Sequence, residues 1–154
     1  MNEPTTLIPP AETRPGRPLG VWIFTMYSMF YDGILPLGLA AMVLLQQDFN
    51  LTTTNILAVG AGALLSLGVT IAAIFTWKGN PTAKLWFLIL VTLYNALLVF
   101  NYGYQFFTGQ IDETASFTIT GRMIRGVLFP IIYWYYFNRE SVKRFFRPNP
   151  EETI

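Results

Sequence analysis

An all-α integral membrane fold, a four-helix bundle joined by short turns, is what this sequence predicts, and three observations carry the prediction. Of 154 residues, 53% are hydrophobic and 12% charged, whereas soluble domains carry about 25% charged residues. Four stretches of span length follow one another at about 19–45, 54–77, 83–107 and 116–137, each able to provide the roughly 20 helical residues that cross a hydrocarbon core of about 30 Å. The bases are also segregated. Arg14, Arg17, Lys78, Lys84, Arg139, Lys143, Arg144 and Arg147 fall on one side of that map, while the opposite turns hold Asp48, Asp112 and Glu113 and no base. Lysine and arginine stay in the cytoplasm, so the expected topology is N-in/C-in.

The chain has no cysteine and no histidine. Disulfides, thiol redox chemistry, structural zinc, iron–sulfur clusters and histidine-ligated haem or chlorophyll all need one or the other. So do Ser-His and Cys-His nucleophile pairs. The expectation is a protein that is not an enzyme and has no cofactor or metal of its own, touching at most lipid or pigment held by partners. Nothing in the charge pattern suggests a nucleic-acid partner.

Residues 1–18 form a tail with five prolines and no apolar run, expected to be extended and suited to lie along a partner surface. The first span, 19–45, has Asp32 near its middle and Pro36 four residues later. Proline has no N–H for the carbonyl four residues back, so a kink is expected at Asp32. Gln46 to Thr53 makes the first outer turn. In the second span Ala58, Gly62 and Ser66 recur every four residues, a spacing that lets helix backbones approach closely. Lys78-Gly79-Asn80-Pro81 is a tight turn, with Asn80 as helix cap and Pro81 in the first helical position. The third span carries the intramembrane amides Asn95, Asn101 and Gln105. They are read as interhelical hydrogen-bonding groups, with a polar substrate path as the sharper alternative. Trp22, Trp77, Trp86 and Trp134 each lie near the expected cytoplasmic end of a different span, where indoles anchor at headgroups. After the membrane domain, 19–138, comes a basic segment, 139–154. Its Val142, Phe145 and Phe146 sit between charges, which suits a helix lying on the membrane surface, with Arg139, Lys143, Arg144 and Arg147 facing anionic lipid.

The fourth span is interrupted by Arg122 and Arg125, each costing roughly 2.5–3.5 kcal/mol at mid-membrane on insertion scales. Asp32 is the acid inside another span that can answer them. Counted from the cytoplasmic ends, Asp32 and Arg125 both lie roughly 20 Å deep. Their spacing of three puts both arginines on one helix face. The leading reading is a buried Asp32–Arg125 ion pair, with Arg122 reaching outward or to Asn101 or Gln105. A proton or ion relay through Asp32 is the functional alternative. In a third, an arginine meets a partner's carbonyl, carboxylate or lipid phosphate.

The two ends resemble a group of small bacterial four-span membrane proteins that open "RPLGV" and close with something like "YLFRPEVKRFF". Here the opening is Arg17-Pro18-Leu19-Gly20-Val21, and the ending runs from Tyr136 to Phe146, departing at Asn138, Glu140 and Ser141. The resemblance implies the bacterial cytoplasmic membrane and the four-span topology, and lends no catalytic residue. Together these readings lead to an accessory subunit packed among other integral membrane subunits, with a respiratory or photosynthetic electron-transfer assembly as the expected kind. A small oligomeric transporter or channel using Asp32, Arg122 and Arg125 is the alternative.

Overall fold

Where water is excluded, a backbone must satisfy its own hydrogen bonds within the segment, so long apolar stretches of this kind close into helices. The computed structural model describes residues 16–45, 53–108 and 113–147, and the regular structure among them is entirely helical. Helix α1 is Leu19–Leu45, α2 is Thr53–Trp77, α3 is Pro81–Phe107, α4 is Glu113–Phe137, and the short α5 is Glu140–Phe145. Three of these, α1, α2 from Ile56 onward, and α3, are long and apolar enough to cross a membrane. The chain is a membrane protein on that ground. At 25 residues α4 is long enough, but its two arginines and hydroxyl-rich first half leave it less apolar than the others. The proline-rich segment before residue 16, the segments 46–52 and 109–112 on which the outer turns were expected, and the end 148–154 lie outside the described residues.

Helix α1 changes register at its acid. Leu19–Ser28 and Leu35–Leu45 are α-helical, while Met29–Ile34 between them is a π-helix in which the Leu35 N–H donates to the Phe30 carbonyl five residues back. Pro36 denies the Asp32 carbonyl its α-helical donor and its ring crowds that carbonyl. A widened turn just upstream accommodates both effects. The expected irregularity at Asp32 therefore takes the form of a π turn. The α2–α3 turn follows its sequence signals: Gly79 adopts φ +88°, and Asn80 Oδ1 accepts the Ala83 N–H at 3.0 Å.

Helices adjacent in sequence pack against one another, and α4 returns to α1. The closure is aromatic, with the Phe24 ring 4.8 Å from Tyr133 and 4.9 Å from Tyr136. The interior mixes apolar and polar side chains in one-sided stripes. Val21, Thr25, Ser28 and Asp32 are buried on α1, Ser66, Val69, Ala73 and Thr76 on α2, and Phe87, Val91 and Asn95 on α3. Lipid already solvates the apolar exterior, so helix association draws on close packing and interhelical polar contacts, and these residues supply both.

Two features differ from the sequence reading. Of the small residues in α2, Ser66 is buried, but Ala58 is exposed and a Cβ at Gly62 would meet nothing within 4 Å. A strict four-residue repeat drifts about 40° per step around a helix of 3.6 residues per turn, so two steps carry Ala58 off the packed face. The close approaches use other glycines: a side chain at Gly33 would strike Thr70, and one at Gly126 would reach Val99 Cγ2 at 2.6 Å. The second difference is α5. Its Val142 and the following Phe146 are buried in the protein itself, with Phe146 6.1 Å from the Phe137 ring and Phe145 against Gly79. The apolar side of this segment closes the end of the helix assembly, and Arg139, Lys143, Arg144 and Arg147 remain exposed.

Candidate functional site

The two charged stripes meet between α1 and α4. Four-residue steps run from Arg125 through Phe129 to Tyr133 and Phe137 in a band that winds around α4 by about 40° per step, and its Arg125 end lies opposite the Ser28–Asp32 side of α1. Asp32 is 1% exposed, and its Oδ1 accepts a hydrogen bond from Arg125 Nη2 at 3.3 Å. The arginine side chain remains 33% exposed. Its guanidinium lies 5.9 Å from the Tyr27 ring centroid and 5.6 Å from that of Phe129. Contacts of this kind contribute about 0.5–2 kcal/mol each, more when water is excluded. Ser28 stands one turn before Asp32, its hydroxyl beside the carboxylate and 3.0 Å from Tyr133 Oη. Tyr133 is buried between Phe24, Phe87 and Phe129. The site is thus a carboxylate with its own cation, a hydroxyl pair beneath it and aromatic rings around it.

Arg122, one turn outward, takes another partner. Its Nη1 donates to Tyr102 Oη at 2.9 Å and its guanidinium lies 5.6 Å from the same ring. The expected contact with Asn101 or Gln105 gives way to Tyr102, because those amides bond to each other, Gln105 Nε2 to Asn101 Oδ1 at 3.4 Å, on the exposed side of α3. Asn95 is the interior amide, 1% exposed. Its Nδ2 donates to the Val91 carbonyl at 2.9 Å, and its Oδ1 has no protein partner. Among the described residues no cluster of three or more carboxylates could hold a metal ion.

The four tryptophans behave differently from one another. Trp22 and Trp86 are exposed, as an interfacial anchor requires. Trp77 is partly buried beneath the Arg17 guanidinium, 4.6 Å from its ring, and Trp134 donates its indole N–H to Thr92 Oγ1 at 3.0 Å. Around them the described bases other than Arg122 and Arg125 collect at one end. Arg17 lies over Trp77, Lys78 over Phe75, Lys84 over Phe146 and Arg139 over Tyr135. Arg147 there pairs with Glu140 at 2.7 Å.

Ser28, Tyr27 and Phe129 complete the site without having been singled out from the sequence; Tyr102 stood out there only as a hydroxyl of the third span, and Tyr133 only as the start of an aromatic run expected to face partners, whereas it is 2% exposed. The four-residue steps from Asp32 back to Ser28 and from Arg125 on to Phe129 and Tyr133 were the signal available for three of them. Tyr102 had none beyond its place among the polar residues of α3. The chain matches no family model, no curated protein and no solved structure.

Proposed function

We propose that the chain is a four-span protein of the bacterial inner membrane, with both termini in the cytoplasm, acting as a non-catalytic accessory subunit of a larger membrane assembly. The observation that carries this reading is the self-contained pairing of Asp32 with Arg125. The buried acid is bonded to the chain's own arginine under two aromatic rings, an arrangement suited to joining α1 and α4. Any pigment or redox group near it would be held by partners, as in a respiratory or photosynthetic electron-transfer assembly. The gathering of Arg17, Lys78, Lys84 and Arg139 at one end supports the topology. It brings the start of α1 and the end of α4 to the same side.

The absence of cysteine makes the topology simple to test. With single substitutions Asp48→Cys and Gln110→Cys, both positions are expected to react with an impermeant maleimide from outside, and Thr153→Cys is expected to stay protected. Three spans instead of four would expose Thr153→Cys, so its labelling from outside would overturn the four-span map.

Subunit function is tested by gentle-detergent purification of the full chain and of a variant lacking residues 1–16. The full chain is expected to bring other integral membrane chains with it. The variant should lose most of them while keeping its helical content. The alternative, a small oligomeric transporter or channel, draws support from the π turn at Asp32 and from the unpartnered Asn95 Oδ1. Ion flux through liposomes holding this chain alone, lost on Asp32→Asn, would favour that alternative and sink the accessory reading.

A further inference from the structure

A groove runs along the outside of α2 and α3 toward the basic end. Its apolar wall is built from Gly68, Ile71 and Phe75 on α2 with Trp86 and Leu90 on α3, and its rim is polar, with Asn80 and Thr82 at the turn. The floor is deep because Gly68 has no side chain: a Cβ there would already approach Leu90 Cδ1 at 3.3 Å. From Thr82 to Leu90 is about 12 Å along a helix, most of one leaflet of a hydrocarbon core roughly 30 Å thick. Lys78 does not line the groove itself but stands two residues before Asn80 of its rim, with its ammonium 5.6 Å from the ring of Phe75, a groove residue. No carboxylate among the described residues pairs with this lysine. Trp86, 55% exposed in the groove wall, has the amphipathic ring that settles at headgroup level.

We propose that this groove is a binding site for one anionic phospholipid of the cytoplasmic leaflet. It rests on the membrane-spanning reading above. One acyl chain lies along Gly68, Ile71 and Leu90, and the headgroup phosphate meets the Lys78 ammonium with the Thr82 hydroxyl at hand. The length of the groove matches a chain within a single leaflet, and the unpaired cation at its polar end complements a phosphate that carries no ammonium of its own. A partner helix would cover the apolar wall equally well but would need a carboxylate of its own at this level to answer Lys78.

The test uses the full chain, delipidated in mild detergent and titrated with phosphatidylglycerol or phosphatidylcholine of equal chain length, with bound lipid counted by native mass spectrometry. One phosphatidylglycerol is expected to bind about fivefold more tightly than phosphatidylcholine. Lys78→Gln should erase that difference, fivefold corresponding to the about 1 kcal/mol of one basic residue at an anionic surface. Lys143→Gln, on exposed α5, should keep it. Ile71→Trp, which fills the groove from its lipid-facing wall, should weaken both lipids. Equal binding of the two lipids by the parent chain would overturn the proposal. So would an effect of Lys143→Gln as large as that of Lys78→Gln, which would assign the preference to the basic end as a whole. Unchanged binding in a folded Ile71→Trp variant would do the same. An alkaline carbonate wash of membranes separates the two levels of failure. A chain that washes out defeats the spanning reading and the groove together, while one that stays but does not discriminate lipids defeats only the groove.

Discussion

Asp32→Ala is expected to cost about 3–5 kcal/mol and most of the folded yield, because breaking one side of a buried ion pair strands the other charge. The stranded group is Arg125, held among Tyr27 and Phe129; in the proposed four-span arrangement it lies within the membrane, where a lone guanidinium is costly. Its partial exposure lets it turn toward a water or headgroup defect, which places the cost toward the lower end of the range. Removing both charges in Asp32→Ala with Arg125→Leu should recover much of the loss, since replacing a whole buried pair with apolar groups is often near neutral. Folded yield in mild detergent and the denaturant midpoint of the helical signal read the effect. A double variant no better than Asp32→Ala alone would show that the two residues are not coupled. Arg122→Leu is the internal comparison. Its Tyr102 contact is exposed, and its loss should be small beside that of Asp32.

Tyr133→Ala is expected to cost about 3 kcal/mol, within the range for emptying a buried aromatic site. Tyr133 is 2% exposed and meets Phe24, Phe87 and Phe129 at ring distances of 4.8, 6.0 and 6.1 Å. Those rings join α1, α3 and α4, so the cavity would open where three helices converge. Tyr133→Phe keeps the ring and removes only the hydroxyl that faces Ser28. Interhelical hydrogen bonds in membranes average about 0.6 kcal/mol, so this variant should lose roughly that much. Denaturation in micelles compares the two. Equal losses would shift the weight from packing to the Ser28–Tyr133 contact.

Much of the local architecture was legible because its causes are local. Asn80 and Pro81 mark the start of α3 through a side-chain cap and a missing N–H, and neither depends on distant residues. Pro36 announced an irregularity at Asp32, but a missing donor says only that the α register fails. Whether the chain kinks or widens depends on the neighbour, and here the π segment packs on α2. Depth could be counted along two helices, which put Asp32 and Arg125 at one level, and the structure has them 3.3 Å apart. Azimuth could not be counted in the same way. Ala58 and Gly62 match a packing repeat in one dimension and miss the packed face because helical rotation accumulates along it.

By itself, the sequence determined that the chain is helical and membrane-embedded, that its bases are segregated from its acidic turns, and that it lacks histidine and cysteine ligands. These follow from composition, span length and charge order, which every conformation of the chain shares. Only the tertiary structure decided which partner each polar group takes: Tyr102 for Arg122, Tyr133 for Ser28 and Thr92 for Trp134. It also decided that Val142 and Phe146 close the end of the helices, a place that their spacing between charges had suggested for lipid. The physical reason is common to these cases. Each of these side chains takes a polar or close-packed neighbour on another helix, and which helix face is nearest is fixed by rotation and crossing, which the order of residues does not specify.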